Sequence, residues 1–256
     1  MESKNQKVLR EFNLTLPASA SDVAPLKVGD AVFLNGVVFT GREGLYDMLF
    51  EKRKEPPIDI RTLGGATINA SPTVRETKPG VYHVPSITGT ASFRFAKYMS
   101  EFLKDYHIRF LIGKGGMSSE VYKNAFLPNG AIYLTTIGYG MGAVYGRGIL
   151  GVKDVAWKKE LGLAQAMWVL EVKNFGPFIV ECDARGEGPF PNTRVRVYYS
   201  LKAALGKVLK EMDLGGMDLE GMERQVAPAK RFLQGSYHRQ NLQPVTSSSL
   251  PALLPL

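Results

Sequence analysis

The amino-acid sequence predicts an α/β domain with a central sheet flanked by helices, followed by an irregular C-terminal extension. Segments rich in β-branched and aromatic residues alternate with segments of helical periodicity, an order typical of an α/β sandwich or a swivelling β/α domain. Beyond about residue 205 this alternation weakens, and proline and serine become frequent towards the end of the chain. We therefore predict an N-terminal leader at 1–25, the β/α domain at 26–204, and an extension, partly flexible or bound to a partner, at 205–256.

The predicted strands are short apolar segments that are bounded by turn residues. They cover residues 31–40, which form one bulged strand or two short ones, and residues 108–112, 131–137, 168–172 and 178–182. Between residues 60 and 87, glycine and proline break the chain into further short strand-like pieces.

Helices are predicted where apolar residues recur every three or four positions. The clearest stripe of this kind consists of Phe95, Tyr98, Met99, Phe102 and Leu103. Weaker patterns predict helices over 43–54, over 118–126 behind a capping serine, and from a glycine-rich turn near 138 to about 149.

The composition excludes several kinds of site. Cys182 is the only cysteine among the 256 residues, so this chain alone forms no disulfide, iron–sulfur cluster or structural zinc site. The three histidines are scattered, and we expect no metal held by this chain. No apolar run reaches the roughly 18–20 residues of a membrane span, and the first residues lack a secretory signal. We therefore expect a cytoplasmic protein with no membrane partner.

The formal net charge of +8 allows several interpretations. It suits a solubilising surface, an anionic substrate, an acidic partner subunit or a nucleic acid. Neither an RNA-binding aromatic motif nor a zinc finger accompanies the charge, so nucleic acid is the weakest of these interpretations and we predict none as a partner.

Hydroxyl and cationic side chains cluster where the helix with the apolar stripe begins. Thr90 or Ser92 is suited to cap this helix, and Arg94 lies in its first turn. A cation there opposes the helix macrodipole at a cost of roughly 0.3–1 kcal/mol, which is reasonable if an anion binds at the same place. Thr90 and Arg94, four positions apart, would share one helix face. The alternative is a simple cap without a ligand.

Two further cationic loops follow predicted strands. In the turn after residues 108–112, Gly113 and Gly115 let the backbone approach a ligand closely, and Lys114 adds a positive charge. Arg42 is a third cation at a strand-to-helix junction. The alternative for the Lys114 turn is a surface turn with a solvated lysine, and the alternative for Arg42 is simple neutralisation by the neighbouring Glu43. Because ligands of α/β sheets bind at such junctions, the three loops together predict a ligand with more than one negative charge.

A glycine-rich loop between a predicted strand and a predicted helix allows another function. Residues 138–143 fit the pattern G-x-G-x-x-[GA] of dinucleotide-binding proteins, which would make the chain an oxidoreductase. A single match of this kind is weak support, and tight packing of the turn is the alternative explanation for its glycines.

In their order and spacing, several short motifs resemble the β subunit, or C-terminal domain, of the iron–sulfur hydro-lyases, namely the class I fumarases and L-tartrate dehydratases. The resemblance runs from about residue 16 to residue 190. The motifs lie at 26–30, 34–36, 40–42, 70–73, 90–98, 112–117, 168–172 and 175–177. The glycine–lysine–glycine turn and the segment from Thr90 to Arg94 are the most specific of them.

The resemblance implies a two-part enzyme that reversibly adds water to, or removes it from, a C4-type dicarboxylate. A cysteine-bearing α subunit, in a heterodimer or an α2β2 assembly, would hold a [4Fe–4S] cluster, and this chain would close the site over it. In the family, counterparts of Arg42, Arg94 and Lys114 hold substrate carboxylates, and the counterpart of Thr90 is implicated in proton transfer at carbon. The predicted catalytic residues are Thr90, Lys114 and Arg94, and the predicted substrate-binding residues are Arg42, Arg94, Lys114, Gly113 and Gly115.

The sequence departs from the family pattern around the first cation. The family usually has T-[AC]-R-D-x-x-H there, whereas this chain has Glu43 for the aspartate and Tyr46 for the histidine. Gln165 stands where a glutamate is frequent. These changes keep the cations and alter the polar groups around them. They favour a second hypothesis, a diverged subunit that binds an anion or stabilises a partner without turnover.

Overall fold

A computed structural model of the chain describes residues 9–138, 141–186, 200–201 and 203–208. Residues 200–201 and 203–208 are helical. Nearly all of the extension predicted at 205–256 lies outside the described residues, and the predicted domain boundaries stay predictions.

Strands and short helices alternate along the described residues, as the sequence predicts. The strands are β1 (Glu11–Thr15), β2 (Ala31–Thr40), β3 (Ala66–Ile68), β4 (Ala70–Lys78), β5 (Val81–Gly89), β6 (Phe110–Gly113), β7 (Ile132–Thr136), β8 (Ile149–Ala156) and β9 (Met167–Cys182). The α-helices are α1 (Ala20–Val23), α2 (Glu43–Tyr46), α3 (Met99–Asp105), α4 (Ser119–Val121), α5 (Gly142–Gly146) and α6 (Lys158–Leu161). Segments of 3-10 helix cover Ile60–Thr62, Phe93–Tyr98 and Leu127–Asn129, and segments of π-helix cover Asp47–Glu51 and Tyr122–Phe126.

Seven strands form one mixed sheet in the order β1-β2-β3-β6-β7-β9-β8, in which β9 also pairs with β2. β2, β3, β6 and β7 run parallel, and β9 runs antiparallel to both β7 and β2. The additional pairing closes these five strands on themselves, while β1 extends the sheet beside β2 and β8 extends it beside β9. β4 and β5 form a separate hairpin. The predicted class, an α/β fold with a central sheet and helices, is confirmed.

Two predicted elements differ from the observed ones near the end of the sheet. The strands predicted at 168–172 and 178–182 form one continuous strand, β9. The pairing of β9 with β2 continues through the irregular stretch between them, because register shifts in β2 accommodate the irregularity. The helix predicted to reach about residue 149 ends at Gly146, and β8, which the sequence did not indicate, follows it. Most of β8 is partly or fully exposed, so it lacks the apolar pattern on which strand prediction depends.

Pro72 was expected to interrupt a strand, yet it lies within the continuous strand β4. β4 pairs only with β5 among the described strands, so one of its edges is unpaired. Proline is tolerated on such an edge because its missing N–H has no ladder partner to lose.

The predicted apolar stripe is confirmed and packs on an aromatic cluster. Phe95, Met99, Phe102 and Leu103 are buried on the segment that runs from the 3-10 helix into α3. At the centre lies Tyr46, which stacks on Phe95 with ring centroids 4.6 Å apart and meets Phe102 edge-on at 5.2 Å. This cluster holds α2 against the start of the 3-10 helix, which carries Arg94.

Four tyrosines make the stability of this domain sensitive to alkaline pH. The side chains of Tyr46, Tyr122, Tyr133 and Tyr145 are buried, and burial raises the pKa of each phenol above its usual value. In the unfolded chain a tyrosine ionises near pH 10, whereas the folded chain keeps its proton. The stabilisation is therefore present below pH 10 and is lost above it, by up to about 1.4 kcal/mol per tyrosine and pH unit.

The variant Tyr46→Phe tests this pH dependence, because it keeps the aromatic ring and removes one ionisable group. We expect the free energy of unfolding to fall less steeply with pH in the variant, by up to about 1.4 kcal/mol per pH unit between pH 10 and 11. Urea denaturation followed by circular dichroism at several pH values measures both slopes. Equal slopes for the variant and the unchanged chain would contradict the account.

Candidate active site

The cationic loops predicted from sequence meet at one edge of the sheet. Arg42 follows β2 and Lys114 follows β6, and these strands are parallel with β3 between them. The hairpin returns the chain to the same edge, since Ala70 at the start of β4 pairs with Gly89 at the end of β5. Thr90 therefore begins a segment beside the carboxyl ends of the parallel strands, where α/β folds usually bind ligands.

Thr90 and Arg94 are in direct contact. Nη2 of Arg94 donates a hydrogen bond to Oγ1 of Thr90 at 2.9 Å, as expected from their spacing. Ser92 is the N-cap residue of the helical segment, which begins at Phe93, so one of the two predicted cap positions is confirmed. Its hydroxyl makes no capping hydrogen bond, however, and donates to the carbonyl of Thr90. Arg94 does lie in the first turn, as predicted, with its guanidinium 5.4 Å from the ring centroid of Phe95.

Lys114 is joined to the Thr90 segment through the backbone. The N–H of Ser92 donates to the carbonyl of Lys114 at 3.0 Å, and Ala91 forms an isolated β-bridge with Lys114. The lysine side chain borders a cavity of about 40 Å³ that is also lined by Thr88 and Thr136. The structure therefore joins the backbone of Lys114 to the segment that carries Thr90 and Arg94.

The glycines of the Lys114 turn are required by packing and by backbone conformation. A Cβ at Gly113 would lie 2.0 Å from Oγ of Ser92 and 2.4 Å from the hydroxyl of Tyr133, so no side chain fits. Gly115 and Gly116 have φ values of +83° and +67°, which favour glycine. Packing thus explains Gly113, and the predicted approach of Gly113 and Gly115 to a ligand stays a prediction.

Arg42 lies at the start of α2, beside the other cations but with a different neighbourhood. Its Nη1 donates to the carbonyl of Ala164 at 3.3 Å, while its buried Nε makes no hydrogen bond within the described part of the chain. The next residue, Glu43, faces Arg94 with 3.8 Å between Oε2 and Nη1. Arg42 is therefore linked to Arg94 through Glu43.

The positions that depart from the family pattern serve the framework of the site. Tyr46 is fully buried, its hydroxyl donates to Oδ1 of Asn69 at 2.7 Å, and burial raises its pKa, so it stays protonated. Oε1 of Gln165 accepts a hydrogen bond from the N–H of Gly44 at 2.9 Å, near the start of α2. Neither the buried phenol nor this amide adds a charge to the site.

Sequence reasoning missed Asn69, which is fully buried directly after β3. It contacts both the Thr90 segment and Tyr46. The signal that could have revealed it is a single amide side chain at the end of a short buried strand, where an unpaired polar group is costly. Tyr133 was missed for another reason, because its hydroxyl reaches Gly113 only through the pairing of β6 with β7.

A larger cleft of about 520 Å³ lies next to the cationic loops. It is lined by Glu43, Gly44, Asp47, Glu51, Lys97, Tyr98, Glu160, Leu161 and Gln165. Four carboxylates against one lysine disfavour a dianionic ligand, so size alone does not mark the binding site. The cationic edge around Arg94 and Lys114 is the better candidate.

Packing requires glycine at two described positions in and after the glycine-rich loop, Gly142 and Gly146, whereas residues 139–140 of the loop lie outside the described part of the chain. A Cβ at Gly142 would lie 2.6 Å from Oγ of Ser86, and one at Gly146 would lie 2.0 Å from the carbonyl oxygen of Pro85. The five-residue helix α5 leads into β8, which pairs antiparallel with β9. A dinucleotide fingerprint instead leads through its helix to a parallel strand. The loop therefore does not lie in the strand–helix–strand unit with parallel strands that dinucleotide binding requires, which argues against the oxidoreductase hypothesis.

The fold and the site together define a class: an α/β domain with hydroxyl and cationic side chains gathered at one edge of a closed sheet. The family model described as the fumarase C-terminus matches residues 1–193. The chain belongs to this family, which confirms the resemblance seen in the motifs. No helix among the described residues is long and apolar enough to cross a membrane.

Three relatives illustrate the family. A protein of Methanocaldococcus jannaschii assigned as an L(+)-tartrate dehydratase β subunit is 35% identical over 188 residues, covering 72% of this chain and 94% of the relative. The L(+)-tartrate dehydratase β subunit of Escherichia coli K12 is 30% identical over 175 residues, covering 68% and 83%. A Geobacillus stearothermophilus protein assigned as a class I fumarate hydratase is 32% identical over 177 residues, covering 69% of this chain and 33% of the relative.

Proposed function

We propose that this chain is the β subunit of an iron–sulfur hydro-lyase that reversibly hydrates or dehydrates a C4-type dicarboxylate. The observation that carries the proposal is the hydrogen bond from Arg94 to Thr90 at the sheet edge that Lys114 shares. A hydroxyl with a guanidinium donor, beside a second cation, suits proton transfer next to a carboxylate. The names of the relatives, tartrate dehydratase β subunit and fumarate hydratase, agree with this chemistry.

The cations bind the carboxylates of the substrate. Arg42 and Arg94 offer paired N–H donors that match a carboxylate, and Lys114 adds a point charge. The side chain of Arg94 is 43% exposed, and its pair with Glu43 spans 3.8 Å between two exposed groups. Exposed ion pairs of this kind contribute about 0–1 kcal/mol to the free energy of folding, so a substrate carboxylate can displace Glu43 from Arg94 at little cost.

Thr90 transfers the proton at carbon. Removing a proton from the carbon beside a carboxylate builds negative charge on that carboxylate, and the fixed charges of Arg94 and Lys114 stabilise it. A threonine hydroxyl is a poor base in water. The hydrogen bond from Arg94, 2.9 Å long, stabilises the alkoxide form that accepts the proton.

The [4Fe–4S] cluster of the proposed enzyme does not fit this chain. Cys182 is the sole cysteine, its thiol is buried, and burial raises its pKa, whereas a cluster ligand is a thiolate. Among the described residues, no three histidine, cysteine or acidic side chains gather to hold a metal ion. We assign the cluster to a cysteine-bearing α subunit, in a heterodimer or an α2β2 assembly. Because cluster thiolates suit a reducing compartment, we place the complex in the cytoplasm.

One observation favours a second candidate function. Tyr46 is fully buried and bonded to Asn69 at the position where the family has a histidine. A subunit that lost this histidine is a candidate for binding an anion, or stabilising its partner, without turnover.

Anaerobic purification of the tagged chain from its native host tests the proposal. We expect a brown, cysteine-bearing partner, and turnover by the pair of at least one substrate among fumarate, malate, tartrate and mesaconate. A pair with an intact cluster that converts none of them would overturn the first function in favour of the second. Purification without any such partner would contradict the first function and the partner-stabilising form of the second.

A further inference from the structure

Asn69 connects the loops of the candidate site. It is fully buried between β3 and β4, where the chain leaves the main sheet for the hairpin. Its N–H donates to the carbonyl of Ile112 and its carbonyl accepts from the N–H of Thr90, both at 2.7 Å. Its side-chain Oδ1 accepts from the hydroxyl of Tyr46 at 2.7 Å, and Nδ2 donates to Oγ of Ser92 at 3.0 Å. One residue thus contacts α2, the end of β6 and the Thr90 segment.

Ser92 extends this network to Lys114. Its hydroxyl donates to the carbonyl of Thr90 at 3.3 Å and accepts from the N–H of Lys114 at 3.4 Å. A serine hydroxyl has one proton, which Thr90 receives here, so the partner on its other side has to be a donor. The amide of Asn69 is therefore fixed with nitrogen towards Ser92 and oxygen towards Tyr46.

Tyr46 fixes the other end of the network. Its ring is stacked on Phe95 and lies parallel to Tyr98 with centroids 5.6 Å apart. Burial raises the pKa of its phenol, so the hydroxyl keeps the proton that it donates to Asn69. The amide is thus held between a rigid aromatic donor and the serine hydroxyl.

From this geometry we propose that Asn69 is a positioning residue, which sets the placement of the Thr90 hydroxyl relative to Lys114. The inference rests on the proposed function, since it gives those two residues their chemical roles. Buried hydrogen-bond networks fix a single arrangement only when every member is satisfied. An amide supplies one donor and one acceptor in a planar group, and the site uses both.

The variant Asn69→Asp tests the proposal with almost no change of shape. An ionised carboxylate accepts from Tyr46 but offers only an acceptor to Ser92, whose hydroxyl then turns away from Thr90. A protonated carboxyl group has one donor and one acceptor, as the amide has. The defect should therefore be large at high pH and small at low pH. The position is fully buried and the side chains hydrogen-bonded to it, Tyr46 and Ser92, are uncharged, so burial raises the pKa of a carboxyl group placed here and extends its protonated form to higher pH.

Two measurements follow the defect, one in the α/β pair and one in the structure of this chain. In steady-state kinetics at pH 8 we expect kcat to fall about 100-fold with KM changed less than about threefold, and the loss to shrink below about fivefold at pH 6. Amide hydrogen exchange by NMR or mass spectrometry reports order at Thr90 and Lys114. We expect their protection to fall about tenfold at pH 8 and to recover at pH 6.

Asn129→Asp is the matched control. Its Nδ2 donates to the carbonyl of Ala125 at 2.7 Å, before β7 and so at the opposite end of the parallel strands. The same chemical change there should leave kcat, KM and the protection of Thr90 and Lys114 as they are. Equal effects of the two variants would overturn the proposal, as would an Asn69→Asp variant with unchanged protection.

The two readouts separate this inference from the proposed function. If the unsubstituted pair converts no dicarboxylate, the proposed function fails, while hydrogen exchange still decides whether Asn69 orders the loops. If Asn69→Asp does not fold, Tyr46→Phe removes only the hydroxyl that bonds to Oδ1. Tyr46→Phe should lower the protection of Thr90 and Lys114 about threefold, by releasing one end of the amide. Unchanged protection in Tyr46→Phe would overturn the proposal in that case.

Discussion

Replacing Arg94 with alanine should lower kcat/KM of the reconstituted α/β pair by about 100- to 1,000-fold, since one fixed donor to a charged transition state has roughly this value. Arg94 supports both proposed steps, because it binds a carboxylate and donates to Thr90. Its side chain is 43% exposed, so the fold should depend on it little. Steady-state kinetics and the midpoint of urea denaturation measure the two effects separately.

Arg94→Lys is the matched control, because it keeps the charge and removes the planar fork of donors. We expect its activity to lie between that of Arg94→Ala and that of the unsubstituted chain, with binding of the carboxylate affected most. If the Arg94→Ala variant turned over substrate at the full rate, the guanidinium would have no role in the mechanism.

Replacing Thr90 with valine should lower kcat by about 100- to 10,000-fold, the usual contribution of a positioned acid–base group, with KM changed little. Valine has the shape of threonine without its hydroxyl, and the N–H at position 90 still donates to the carbonyl of Asn69. Besides the rate, exchange of the substrate's carbon-bound hydrogen with D2O measures the proton-transfer step itself.

Thr90→Ser keeps the hydroxyl and should retain most of the activity. If Thr90→Val exchanged carbon-bound hydrogen as fast as the unsubstituted chain, another group would be the base. Loss of activity in both variants would indicate that the methyl group, and hence packing, is needed at this position in addition to the hydroxyl.

Local patterns in the sequence predicted much of the fold and the three cationic loops. The strand at 31–40 follows from its β-branched and aromatic residues and the stripe from Phe95 to Leu103 from helical periodicity, and both signals depend only on neighbouring residues. Arg42 and Lys114 were expected at one edge because the ends of parallel strands meet there, and β2 and β6 bear this out. The contact between Thr90 and Arg94 follows from their spacing of four residues.

What the sequence did not predict depends on contacts between distant segments. Tyr46 and Asn69 are bonded across 23 positions, and Asn69 and Ser92 across another 23. No local pattern encodes such pairs. β8 is an edge strand with an exposed outer side, so its residues carry little of the alternation that marks a strand. Ser92 is the N-cap residue that the sequence offered, but its hydroxyl bonds to Thr90 and to Lys114 on another loop, which no local pattern indicates.

The central claim is that this chain supplies the cationic, proton-transferring side of a site completed by its partner. Titrating a fixed amount of the cluster-bearing α subunit with this chain tests it most directly. We predict no turnover by either subunit alone, activity that rises to a stoichiometric plateau, and inhibition when Lys114→Ala competes for the α subunit. Full turnover with the Lys114→Ala chain, or by the α subunit alone, would contradict the account.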